Sequence, residues 1–416
     1  MCIYIMIYIL LIQHKECCMC NSTFLGGYMM DNSITVGLDA GNSNAKAAVW
    51  GRDKDGKRTI RCFKLPSHVN SEAPPLSLDG KSSSTEYYSF EHTDSKQPFT
   101  VKPNCHNAVN LFDKGQNSVE MAALVNAALM KAGLGGKNVL VATNLPLIHE
   151  KGFGYFSLNK ATGRYDLNKK LMEAKCKNLI ETKFKSLTPG IEMPIIKQAL
   201  CFAELYAGAI NQKCDNYGKI KKDNKKRGYF DLGGGTSQTG IITNLDLDST
   251  TAKTLPVGSL SINDELYKIL AKELDGFLDH TDQAKIRAQL STHIQEGELY
   301  YRGEKVEKFK EFVDLAIERT VPHTIDVIIK MLKSNMHDLH QIVGFGGGIN
   351  NYRKYTTDIK GLFVPEKPEF ENVKGLLKIV TFMSALSENI DVDKVIELSE
   401  PVVEALSEVG EEIEIA

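Results

Sequence analysis

The sequence predicts an α/β protein of two domains with a cleft between them. Three observations carry this expectation. The chain is 416 residues long and 42% hydrophobic, enough for two separate cores. Runs of alternating apolar residues, which make half-buried strands, are interleaved with runs at helical spacing. One local pattern, a strand ending in aspartate followed by a glycine turn and a return strand, occurs twice, with Asp39 and Asp231 192 residues apart.

The first copy is "ITVGLDAGNSNAKAAVW", residues 34–50. Ile34, Val36 and Leu38 fall on one face before the turn, and Ala45, Ala47 and Val49 do so after it, which reads as a β-hairpin. Residues 67–100 are rich in Ser, Pro, Asp and Glu with weak periodicity, as in a small variable insertion. "NSVEMAALVNAALMKAGLGG" has helical spacing and stops at Gly133, and "NVLVATNLPL" reads as a buried strand ending at Pro146. Further on, the spacing predicts a helix over 198–210, a strand over 228–231 and helices over 262–274 and 306–332. The last 27 residues, from Ile390, hold nine acidic side chains and one lysine, so they are expected to form a solvated helical tail outside the core.

Composition removes several function classes. A net charge of -2 and a pI near 6.6 give no general basic field for nucleic acid, so contact with DNA is expected through a partner only. The lysine-rich stretch 213–227 reads as a solvated loop, with an anion or partner site as the alternative. Four of the nine cysteines lie in the first twenty residues and the rest lack paired spacing, a pattern of a reducing cytoplasm. His337 and His340 have no cysteine nearby to make a zinc site. The opening apolar run is too short to span a bilayer and lacks a basic segment before it. "LGGYMM" is what a ribosome-binding site would give if translated in frame, so the natural chain is expected to begin at Met29 or Met30. The alternative is a membrane-binding extension.

The second copy of the hairpin is "RGYFDLGGGTSQTGIIT", residues 227–243. In both copies a glycine follows the aspartate by two positions: Asp39 and Gly41, Asp231 and Gly233. Glycine lets backbone N–H groups converge on a phosphate at close range because it has no Cβ and tolerates positive φ. Ser43 and Thr236 can add hydroxyl donors, and Lys46 can add a positive charge. Asp39 and Asp231 can hold a hydrated Mg2+ through its waters, as that ion keeps most of its shell. Two such hairpins facing each other would clamp one nucleotide tail. A third cluster, "QIVGFGGGINNYRKY", follows a short apolar strand and would let a nucleoside lie against backbone. Ile349 stands where a dinucleotide fingerprint needs glycine or alanine, and no G-x-x-x-x-G-K-[ST] occurs.

Two Asp-Gly hairpins followed by "GFGGGINN", in this order, resemble the superfamily of actin, sugar kinases and heat-shock chaperone ATPases over about residues 34–386. Within it, "GLDAGNSNAKA", "VATNLPL" and "ENVKGLLKIV" are similar to ParM-type plasmid-segregation actins. The resemblance implies an actin-like (ribonuclease H-like) fold with a nucleotide cleft between its domains. Asp39, Gly41, Asn42, Ser43, Asn44 and Lys46 then lie on one side of the phosphates, and Asp231, Gly233, Gly234, Gly235 and Thr236 on the other. Gly346, Gly347, Gly348 and Tyr352 attend the nucleoside. A Glu or Gln before the second hairpin orients the attacking water in these families, which implies Gln198, with Glu204 as its competitor.

The implied organisation is an extension over 1–28, a first domain over 29–210 with a small subdomain at about 51–105, and a lysine-rich loop over 211–227. A second domain over 228–371, a core helix over 372–389 and the acidic tail over 390–416 complete it. The implied function is an ATPase, using ATP or GTP with Mg2+, that assembles into filaments in the cytoplasm and segregates plasmid DNA through an adaptor. It would touch neither nucleic acid nor membrane itself. A small-molecule kinase or a chaperone-like ATPase of the same superfamily is the alternative.

Overall fold

The structure is a computed structural model. It describes residues 33–41, 43–72, 87–102, 109, 111–148, 154–187, 190–215, 221, 225–274, 276–277, 289–291, 293–294, 296–333, 336–357, 359–400 and 413–415. The proposed extension over 1–28 lies outside the described residues, as do residues 216–220 and 222–224 of the lysine-rich loop.

The first hairpin forms as its alternation requires. Strands β1 (Ile34–Ala40) and β2 (Asn44–Arg52) pair antiparallel with Asp39 opposite Lys46. β3 (Arg58–Pro66) continues the meander. The short β4 (Val69–Asn70), β5 (Tyr88–His92) and β6 (Pro98–Val101) belong to a separate four-stranded sheet. The small subdomain therefore starts later than the implied bound of about 51, because residues through Pro66 pair with β2 in the main sheet. Helix α1 (Val119–Lys131) is capped by Ser118, whose Oγ accepts from the Met121 N–H at 3.1 Å. Behind it, Gly133 turns the chain at φ 74°, a conformation that favours glycine. β7 (Asn138–Leu145) then runs parallel beside β1.

A hairpin of β8 (Phe156–Asn159) and β9 (Arg164–Leu167) leads into α2 (Lys169–Glu181). β10 (Phe184–Ser186) joins the small sheet, and β11 (Ile195–Ala203) pairs parallel with β7. The helix expected over 198–210 is thus half strand. "IIKQALCFA" carries the isoleucines and the phenylalanine that a buried strand favours, and α3 (Glu204–Lys213) begins only where small residues follow.

The second sheet repeats the first. β12 (Lys226–Leu232), β13 (Ser237–Thr243) and β14 (Asp246–Leu255) form the meander. Helix α4 (Leu260–Glu273), the small strands β15 (Tyr300–Tyr301) and β16 (Glu304–Lys305), and α5 (Phe309–Lys333) follow. β17 (Gln341–Phe345) then pairs parallel with β12, and after α6 (Ile349–Thr356) β18 (Leu362–Phe363) pairs parallel with β17. The order β11-β7-β1-β2-β3 is matched strand for strand by β18-β17-β12-β13-β14.

Two helices bind the halves together. α7 (Glu371–Glu388) lies against β1 and against α3. A Cβ on Gly37 would strike the Val373 carbonyl, and one on Gly375 would strike the Ala207 carbonyl, so glycine is what permits both close approaches. The tail is a correction to the sequence expectation. α8 (Val392–Ser399) buries Val395 and Ile396 completely, and the Thr35 N–H donates to Ser399 Oγ at 3.4 Å. Asp393 of the helix and Glu400 at its end pair with Arg58, and Glu400 also pairs with Arg52. Charge counted along the sequence concealed an amphipathic helix whose acidic side meets arginines of β2 and β3. Beyond it, β19 (Ile413–Ile415) pairs antiparallel with β3, and residues 401–412 lie outside the described residues. No described helix is long and apolar enough to cross a membrane.

Candidate functional site

The two Asp-Gly turns are built alike. The Gly41 N–H donates to the Asn44 carbonyl at 3.1 Å, and the Gly233 N–H donates to the Thr236 carbonyl at 2.9 Å. Each turn is pinned from outside. Ser67 Oγ donates to the Gly41 carbonyl at 2.6 Å and the Ser67 N–H to the Ser43 carbonyl at 3.0 Å. Across the way, the Ser259 and Leu260 N–H groups, where α4 begins, donate to the Gly233 and Gly234 carbonyls at 3.0 and 2.9 Å. The turns also meet each other: a Cβ on Gly234 would collide with Ser43 Oγ. That hydroxyl is buried and has no hydrogen-bond partner among the described residues. Asn42 lies outside the described residues.

Each aspartate is held by an amide. Asn144 Nδ2 donates to Asp39 Oδ1 at 3.0 Å, while Lys46 Nζ pairs with Asp39 Oδ2 at 3.1 Å. Asn372 Nδ2 donates to Asp231 Oδ2 at 2.7 Å. Burial pulls the Lys46 ammonium down, but the charge and hydrogen bond of Asp39 outweigh it and leave its pKa raised. Burial pushes Asp231 up to about 7; the Asn372 hydrogen bond opposes the shift and the Asp39 charge adds to it.

Glu204 is the third carboxylate. It opens α3 and accepts a hydrogen bond from Gln238 Nε2, while Gln238 Oε1 accepts from the Leu147 N–H at 2.9 Å. Gln238 stands opposite Asp231 in the β12–β13 register, as Lys46 stands opposite Asp39. Enclosure raises Glu204 to about 8, and the charges of Asp39 and Asp231 add to the shift. Gln198 is not brought to this place. It sits early in β11, in register with Leu140, whereas the end of that strand that meets Asn144 and runs into Glu204 lies at Phe202 and Ala203.

The third glycine cluster presses on the second hairpin. Gly346 takes φ 96°, its N–H donates to the Pro368 carbonyl at 2.9 Å, and the Gly348 N–H donates to the Leu232 carbonyl at 2.8 Å. A Cβ on Gly346 would meet the Asp231 carboxylate. Gly347 faces Glu369, whose Oε2 is buried without a partner among the described residues. Tyr352 does not reach the cleft: its ring is wholly buried in the core beneath the second sheet. Sequence reasoning passed over Asn144, Gln238 and Asn372. Two of them lie inside strings that carried the resemblance, "VATNLPL" and "ENVKGLLKIV", and the register opposite Asp231 could have pointed to Gln238.

For Mg2+, the donor set consists of two facing carboxylates, and among the described residues no group of three or more His, Cys, Asp or Glu could hold a metal directly. Two aspartates suit an ion that keeps its waters.

No family model matches the chain, and no curated protein matches it. Solved structures do. The archaeal actin homolog Ta0583 is 17% identical with a TM-score of 0.58, covering 83% of this chain and 99% of its own. A non-polymerisable quadruple mutant of pCBH ParM is 16% identical with a TM-score of 0.59, covering 84% and 99%. Bacillus thuringiensis ParM, solved with ATP, is 15% identical with a TM-score of 0.54, covering 85% and 100%. The class is plain from these: the chain has the actin-like fold. Within that class, ParM proteins are among the structures it resembles.

Proposed function

We propose that this protein binds a nucleoside triphosphate with Mg2+ between its two Asp-Gly hairpins, hydrolyses it, and couples that hydrolysis to self-assembly into filaments. The observation that carries the reading is the meeting of the hairpins at Gly234 and Ser43, with Asp39, Asp231 and Glu204 around them. The turns of Gly41 to Asn44 and of Gly233 to Thr236 would cradle the phosphates, with Lys46 and the unpartnered Ser43 hydroxyl as donors. Asp39 and Asp231 would hold Mg2+ through water, and the ion would neutralise charge on the phosphates. Gly346 to Gly348 would flank the nucleoside, ATP or GTP.

Glu204 replaces Gln198 as the residue we assign to the attacking water. Its carboxylate can orient the water and take its proton, and enclosure keeps its basicity high enough for that. Nucleotide-dependent assembly fits a fold whose halves are joined by α3 and α7 around the cleft, because hydrolysis and phosphate loss would change how the halves close. Segregation of plasmid DNA through an adaptor is the cellular role this reading implies. Phosphate release, light scattering and electron microscopy on one preparation with Mg2+ and ATP or GTP test it. Nucleotide-dependent filaments that shorten after phosphate release are expected; hydrolysis without any assembly would move the reading to a kinase or chaperone-like ATPase.

A further inference from the structure

Lys175 is a buried cation that the hydrolysis described above leaves unused. It lies on α2 between Met172 and Leu179, on the face that enters the core, and is 0% exposed. Its Nζ donates to the Asn144 carbonyl at 2.5 Å and to Gln116 Oε1 at 2.6 Å. It makes no ion pair among the described residues, although burying an ammonium costs several kcal/mol unless charge compensates it. The carboxylates of Glu204 of α3 and Asp39 of β1 act on it through space, and the thiols of Cys201 and of its neighbour Cys176 add to them. Burial pulls the pKa of Lys175 down, and these groups oppose the shift.

Asn144 is the link to the site, because its side chain donates to Asp39 while its carbonyl accepts from Lys175. Above this layer stand three carboxylates, Asp39, Asp231 and Glu204, with Lys46 the cation bonded to one of them. A phosphate chain in the cleft would add further negative charge on the open side. An ammonium held below, out of reach of solvent, would act at low dielectric and be little screened by salt.

We propose that Lys175 is a positioning residue of the hydrolytic site, fixing Asn144 and through it Asp39 from beneath, and supplying the interior positive charge that keeps Glu204 available as a carboxylate. This rests on the assignment of the attacking water to Glu204.

The test is the pH dependence of phosphate release by the full chain with Mg2+ and ATP, for the wild type, K175M and K175Q, with nucleotide affinity measured alongside. Removing the charge makes Glu204 harder to ionise, so the acid limb of the profile moves to higher pH. A movement of about one pH unit lowers the rate about ten-fold on that limb; K175Q, which keeps a donor to Asn144, converges with wild type at high pH, whereas K175M, which loses it, stays lower there and binds nucleotide more weakly. A packing role alone would lower the rate equally at every pH. K175Q keeps a donor towards the Asn144 carbonyl without the charge, and it carries the test if K175M does not fold. Variants that hydrolyse with the wild-type profile overturn the role of Lys175 and leave the ATPase reading standing; a wild type that hydrolyses at no pH overturns both.

Discussion

Gly234 lies against Ser43 so closely that a Cβ on the glycine would occupy the place of the serine hydroxyl. The two residues come from turns 191 positions apart in sequence, and their contact closes the cleft at the point where the chain's internal repeat meets itself.

Gly234→Ala should therefore destabilise the protein by about 1–3 kcal/mol, the usual cost of overpacking a close contact. Adding Ser43→Gly removes the colliding atoms and should recover most of the loss. Urea denaturation followed by the fluorescence of Trp50, the one tryptophan of the chain, measures both. An unaltered midpoint in Gly234→Ala would mean that the turns stand apart in solution.

Glu204→Gln should act in opposite directions on rate and stability. The loss of a carboxylate from the attacking water lowers hydrolysis by about 100-fold or more. The folded-state pKa of Glu204 is raised from 4.5 to about 8, so the native protein keeps a proton that the unfolded chain gives up above pH 4.5. Stability associated with this group is full below 4.5 and is lost as pH rises through 8. The nucleotide-free variant should then be more stable than wild type at pH 8 and equal to it near pH 4.5. Denaturation midpoints at the two pH values check the sign.

Gln198→Ala should leave hydrolysis unchanged, because the residue sits towards the other end of β11 from Glu204. A fall in phosphate release to the level of Glu204→Gln would return the water to Gln198.

The paired hairpins were legible because their chemistry is local: aspartate, glycine two positions on, and a strand on either side can be read without knowing what packs against them. Glu204 and Gln198 could not be separated in this way. Six positions apart, they differ in whether the helix has started, and that is decided by the pairing of β11 with β7, which lies outside the segment itself. Asn144 and Asn372 stayed hidden for a related reason, since an amide beside an aspartate 105 or 141 positions away leaves no trace in spacing. Tyr352 shows the opposite error, for a tyrosine four positions after a glycine cluster reads the same whether its ring faces the cleft or the core.

The acidic tail failed because net charge is a sum over residues, while a helix sorts them by face. Ile396→Ala should cost about 2–5 kcal/mol, as for a large aliphatic side chain removed from a core. A change below about 0.5 kcal/mol, the level of surface substitutions, would show that α8 does not dock on β1.

The central claim is that the two hairpins form a single clamp for a nucleotide's phosphates. Calorimetric titration of Mg2+ and ATP into wild type, Asp39→Ala and Asp231→Ala tests it most directly, because each variant removes one charged acceptor from one hairpin only. The account predicts affinity at least about ten-fold weaker in both variants, equivalent to about 1.4 kcal/mol each; wild-type affinity in both would contradict it.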